Sequence, residues 1–195
     1  MKRSGRFEWR FLGPVVVFGW ALAEATVWPF MPDAVLVPLA LARPASWWRL
    51  VLAAALGTTV GGAISYAIAR RRPDRAAIER LPLVRPAMVA AADRWLEQQG
   101  PRGAMRQPAS GIPMKVFARL AGSRGLAPGS FLLYAGAART TRFVISAGLA
   151  ALLGRAFADA VRRRLSWLTL GWSLLFGVAL WRTVAFWERR TDGLD

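Results

Sequence analysis

Six ionisable side chains, Glu24, Asp33, Lys115, Arg139, Arg142 and Arg182, stand in or beside stretches otherwise apolar enough for a lipid bilayer. A charge at bilayer depth costs about 2.5–3.5 kcal/mol or more unless it faces a cavity or a partner, so such residues are candidates for function. Arg139 and Arg142 are one i,i+3 step apart and share a helical face. Guanidinium groups suit a phosphate because each can donate two parallel hydrogen bonds. Carboxylates held away from bulk water can exchange protons near neutral pH. Arg139, Arg142 and Lys115 would then hold an anion, with Glu24 and Asp33 as proton-responsive groups facing it. A structural alternative stands beside this one: Glu24 and Asp33 pair with Arg139 and Arg142 and lock two halves of the chain together. Both hold if substrate displaces the carboxylates. Arg182 lies nearer the end of its stretch and is expected to snorkel to the interface.

Composition removes several other chemistries. The 195 residues leave room for one domain, 55% of them are hydrophobic, and 27 Lys and Arg against 11 Asp and Glu give a net charge of +16. Apolar runs flanked by basic loops point to a membrane protein; a nucleic-acid partner would explain the charge but not the runs. The chain has no Cys, His or Asn, which removes disulfides, thiol chemistry and Ser-His-Asp catalysis. No Asp-x-Asp or acid cluster of metal-ligand type is present, so neither an enzyme nor a metal or other cofactor is expected. The basic start MKRSGRFEWR, with Ala21-Leu22-Ala23 downstream, also fits a cleaved signal peptide, but the apolar run continues past that point.

The elements that must position these charges are helical. Spans are expected at about 11–29, 47–69, 131–157 and 166–187, each with roughly the 20 residues a crossing needs. The third of these carries Arg139 and Arg142. Two shorter segments, about 30–42 and 104–122, are broken by Pro29, Pro32, Pro108, Gly111 and Pro113 and read as re-entrant hairpins. Residues 70–103 hold eight Arg and four acids and form a polar linker. Within it, 86–99 reads as an amphipathic helix ended by Gly100, either solvated or lying on headgroups. Gly57 and Gly61 form a small-xxx-small pair for close helix packing. A basic segment, 1–10, and a tail, 188–195, flank the whole.

The order of broken segment, basic loop and long span occurs twice, with an offset near 81 residues that lays Pro32 on Pro113. Paired interrupted segments of this kind mark transporter binding sites. The fold expected is therefore all-α and polytopic: two inverted repeats, each a Pro-broken re-entrant hairpin followed by a transmembrane helix, plus a C-terminal transmembrane helix. If 11–29 crosses alone, the termini and the linker share one strongly basic, cytoplasmic side. If 11–42 is instead one hairpin, the two sides carry nearly equal charge.

The motifs Glu24…Pro-Phe-Met-Pro-Asp, Gly57…Gly61…Tyr66, Trp95…Gly100, Gly-Ile-Pro-Met-Lys-Val-Phe and Arg-Thr-Thr-Arg-Phe, in this order, resemble the DedA family, also called the SNARE-associated or VTT-domain family. The small YqaA-like branch, with Pro-x-Lys-x-Phe in the second hairpin, is the nearest in pattern. The resemblance covers about residues 22–154. It implies a bacterial inner-membrane protein that moves a lipid phosphate, undecaprenyl phosphate or a phospholipid, between leaflets, with protons as a coupling ion. It also makes Glu24 and Asp33 the acidic pair, and Arg139 and Arg142 the basic pair. Better-known members carry Arg-x-x-Pro-x-x-Arg; here Arg106 and Pro108 fit its start, and Lys115 stands in for the second Arg. A non-transporting scaffold or assembly factor and an uncoupled scramblase remain the alternatives, and homo-oligomerisation is left open. On the transport reading, Glu24→Gln abolishes movement without unfolding the protein.

Overall fold

A computed structural model describes the backbone of residues 4–191 and the side chains of residues 12–191. The side chains of the basic segment 1–10, and residues 192–195 of the tail, lie outside the described residues. The described chain is all-helical, with no strand. Its longer helices are α1 (Ser4–Thr26), α2 (Asp33–Ala42), α3 (Trp47–Arg71), α5 (Pro86–Gln99), α7 (Met114–Ser123), α8 (Pro128–Ala156) and α9 (Ala158–Thr191). The short α4 (Arg75–Glu79) and α6 (Gln107–Ser110) and two 3-10 turns, Pro44–Ser46 and Gly100–Arg106, join them. Two helical runs, Pro44–Arg71 and Ala158–Thr191, are long and apolar enough to cross a membrane.

Local chemistry accounts for the helix bounds. Pro86 and Pro128 occupy first-turn positions, where a missing N–H costs nothing. The Asp74 side chain caps α4 by accepting from the Ala77 N–H. Arg70 and Arg71 close α3, where cations oppose the negative end of the helix dipole. Gly111 takes a left-handed φ of 71° and turns the chain between α6 and α7. Within α9, Arg164 departs from helical geometry and kinks the helix.

Packing fixes the directions. A Cβ at Gly57 would collide with the Phe18 carbonyl, and one at Gly61 with Leu22 and Ala25, so α3 lies directly on α1. The two helices run parallel, and further along Ser65 donates to the Ala25 carbonyl at 2.6 Å. Helix α2 then turns back, since Leu39 shares a small recess with Gly13 and Leu50. Residues 12–42 are thus one helix–loop–helix hairpin with both ends at the N-terminal end of α3. The helix at 11–29 therefore packs as one arm of this hairpin rather than as a separate element. The return of α2 is too short and too irregular at Pro29 and Pro32 for its direction to be read from periodicity.

Helix α8 runs antiparallel to α3, with Phe131 stacked on Tyr66, Gly136 facing Thr59 and Gly148 facing Trp47. Helix α9 returns to the far end, where Thr191 accepts from the Ala87 N–H and Glu188 meets Arg85. Helix α1 therefore begins at one end of the bundle and α9 finishes at the other. Termini on a shared side do not follow from this arrangement.

The second broken segment belongs to the far end. Gly122, late in α7, packs on the Tyr66 carbonyl, while Met114 at the start of α7 reaches inward to Gly62. Helices α2 and α7 each have ten residues, each follows a proline, and the same offset that relates them also lays Trp47 at the start of α3 on Pro128 at the start of α8. Helix α5 occupies the expected 86–99. Its Met88, Val89, Ala92 and Leu96 are buried, and Trp95 stacks on Phe117 of α7. Its apolar face is filled by protein, which leaves little of it for headgroups.

Two apolar clusters result. One joins α5, α7 and the start of α8; the other joins α1, α2, α3 and the later part of α8. Ala25 and Ala135 belong to the first, Ala21 and Phe143 to the second. Glu24 and Arg139 therefore sit at the seam.

Candidate functional site

Two carboxylate–guanidinium pairs form around α8. At the seam, Arg139 donates through Nη2 to Glu24 Oε2, and both side chains are essentially inaccessible, at 0% and 1% exposure. Glu24 Oε1 also accepts from the Met114 N–H at 3.3 Å, at the N-terminus of α7 where the dipole favours an anion. The Arg139 guanidinium lies over the Phe143 ring, and its Nε and Nη1 have no partner among the described residues.

One turn along α8, Arg142 is more open, with 28% of its side chain exposed. Its Nη1 donates to the Pro108 carbonyl at 3.0 Å, and its Nη2 lies 3.2 Å from Asp33 Oδ2 and 3.4 Å from Met31 Sδ. Arg142 thus ties both broken segments to α8. The contact with Asp33 lacks hydrogen-bond geometry, and Oδ2 is otherwise unsatisfied. Asp33 is also the first residue of α2, at the favourable end of its dipole.

Asp33 and Arg142 face a cavity of about 800 Å³, bounded by the tip Pro108–Gly111, by Ser146 and by one side of α9. Arg182 lines the same cavity and has no hydrogen bond or ion pair among the described residues. Two guanidinium groups against one carboxylate leave the wall net positive. The indole N–H groups of Trp172 and Trp187 donate to the carbonyls of Asp33 and Ser110, each at 3.2 Å, so α9 is hinged to both tips.

The other expected residues are placed differently. Lys115 is fully buried and donates to the Val27 and Trp28 carbonyls at 3.0 and 3.1 Å, with Arg119 reaching Thr26. It neutralises the carbonyl end of α1 and does not line the cavity. Arg106 is exposed, stacks on Trp95 at 5.6 Å and also stands outside the cavity wall. Pro29 and Pro32 flank the turn before α2, whose shape is held by Trp20 donating to the Phe30 carbonyl at 3.0 Å. Pro113 precedes α7 in extended geometry.

Sequence reasoning passed over α9 as a wall. Trp172, Phe176, Ala179, Thr183 and Trp187 recur at helical spacing and all line the cavity, which was the available signal. Arg182 was read as a snorkelling charge. Among the described residues no group of His, Cys, Asp and Glu could hold a metal ion.

No protein-family model matches the chain, and no solved structure matches it. An uncharacterized protein of Haemophilus influenzae is 32% identical over 152 residues, covering 78% of each chain.

Proposed function

The chain belongs to one family with this Haemophilus protein, and we propose that it is a polytopic membrane protein that moves a lipid phosphate between bilayer leaflets. The observation that carries the reading is Arg142, which joins the two broken segments at the wall of a net-positive cavity. An anion entering there competes with Asp33 for Arg142 and loosens the contact between the tips. The guanidinium matches a phosphate in shape as well as charge.

Three further features support the membrane reading. Two helical runs are apolar and long enough to cross. The paired ten-residue helices behind Pro32 and Pro113, pointing inward from opposite ends of the bundle, are what inverted re-entrant hairpins require. The order of motifs resembles the DedA family, and that resemblance implies a bacterial inner-membrane location. In this reading Asp33 is the exchangeable carboxylate. Glu24 and Arg139 hold the halves together, and Lys115 and Arg106 are not phosphate ligands.

The test is leaflet exchange of a short-chain fluorescent polyprenyl phosphate in proteoliposomes, with and without an imposed pH gradient. Exchange that follows the gradient is expected. Exchange indifferent to it would make the protein a scramblase. A second reading, a non-transporting scaffold, is favoured by the buried Glu24–Arg139 pair and by Lys115 spent on the end of α1. Absence of exchange for both this probe and a zwitterionic phospholipid would select it.

A further inference from the structure

A second cavity adjoins the positive one. Ser146, Trp172 and Leu175 also border this cavity, of about 630 Å³, between α2, α8 and α9. This one is an apolar trench walled by Leu41, Leu149, Leu153, Trp167 and Leu168, with no charged residue on it. From Ile145 to Leu153 it follows α8 for roughly 12 Å, at a rise of 1.5 Å per residue.

We propose that the two cavities are one seat for a single anionic lipid, its head between Arg142 and Arg182 and one of its chains in the trench. This rests on the lipid reading above and adds to it a head contact on α9, a chain site and an orientation. Arg142 is already engaged by Asp33 and Pro108, so Arg182 is the unpartnered cation available to the incoming anion. The trench leads from the head cavity toward the end of the bundle where α9 begins. A lipid so placed points the way lipids point in the leaflet at the opposite end, where α9 finishes, and its head is drawn inward from that surface. Helix α9 forms one wall of both compartments and buries only Val161 and Trp187. It is the wall that a lipid entering from the bilayer must pass.

The test is equilibrium binding of dodecyl phosphate and hexyl phosphate to the full chain in maltoside micelles. Gly171 borders the trench, and a Cβ there meets nothing within 4 Å, so Gly171→Phe places a ring in the chain site. Gly177 is equally open and borders neither cavity, so Gly177→Phe is the control. Arg182→Gln is expected to weaken dodecyl phosphate about tenfold, the loss of one charge-assisted contact. Gly171→Phe should weaken dodecyl phosphate while sparing hexyl phosphate, and Gly177→Phe should change neither. Wild-type dodecyl phosphate binding by Gly171→Phe would overturn the chain site, and unchanged binding by Arg182→Gln would mean that Arg182 merely snorkels. Binding with the expected pattern but no leaflet exchange would reject transport and keep the seat. Exchange that survives Gly171→Phe unaltered would reject the seat and keep transport.

Discussion

Arg139 and Arg142 leave the same helix one turn apart, each facing a carboxylate, yet their surroundings differ. Arg139 is sealed between two apolar clusters and holds Glu24, which also takes the Met114 N–H. Arg142 stands at a cavity wall, touches Asp33 without a hydrogen bond and spends another donor on a backbone carbonyl. Similar residues at similar depth thus divide into a clamp and an exchangeable contact. What separates them is access. A buried pair that loses one partner strands a charge, whereas a pair at a cavity wall can trade its partner for water or a ligand.

The largest effect should follow from breaking the clamp. Glu24→Gln leaves Arg139 buried without a counter-ion and should cost about 3–5 kcal/mol, read as a large drop in detergent melting temperature. This replaces the expectation that Glu24→Gln abolishes movement while sparing the fold. Glu24→Gln combined with Arg139→Met should recover much of the loss, because no charge is then stranded. A melting temperature unchanged in the single variant would put Glu24 back among the exchangeable groups.

At the cavity, Asp33→Asn should alter transport more than stability. Leaflet exchange should fall about tenfold or more, while melting shifts less than in Glu24→Gln, because Arg142, 28% exposed, keeps the Pro108 carbonyl and water as partners. Arg142→Gln should act in the same direction. If Asp33→Asn melts the protein as severely as Glu24→Gln, both pairs are clamps and the contrast fails.

How far the sequence disclosed this arrangement depended on how local each feature is. The linker helix at 86–99 was legible to the residue, because Pro86, an apolar stripe and Gly100 mark it independently of the rest of the chain. The offset between Pro32 and Pro113 was legible for the same reason. The direction of 11–29 was not. Gly57 and Gly61 announce a close helix neighbour, but their spacing is the same for parallel and antiparallel partners. That the two arginines of α8 meet Glu24 and Asp33 was legible as the structural alternative, whereas the partner of Lys115 was not. Lys115 looked like a ligand because a charge beside Pro113 is conspicuous, yet its target is the carbonyl end of α1, a partner with no side-chain signature.

That capping role predicts an intermediate effect. Lys115→Met keeps the length of the side chain and removes two donors, leaving the Val27 and Trp28 carbonyls unsatisfied. A loss of about 1–3 kcal/mol is expected. Arg119 is close enough to Thr26 to limit it. Loss of exchange with no loss of stability would return Lys115 to the phosphate site.

The smallest effect is expected far from both pairs, in the response to acid. Asp93, on α5, lies outside the helical runs long and apolar enough to cross a membrane and meets Arg124 at 2.6 Å and Arg75 at 3.0 Å. Partial burial pushes its carboxyl up, but the hydrogen bonds and charges of Arg124 and Arg75 outweigh that and hold it below the ordinary range. The folded protein therefore binds fewer protons at this site than the unfolded chain. The stability it contributes is fully present above the unfolded value of about 3.9 and is lost as pH falls through the lower folded value. Because the group is partly solvated, the contribution is no more than about 1 kcal/mol. Melting curves between pH 6 and pH 3 should flatten slightly in Asp93→Asn, with exchange at neutral pH unchanged. An identical acid response in that variant would mean that the contacts of Asp93 with Arg124 and Arg75 add nothing measurable to stability.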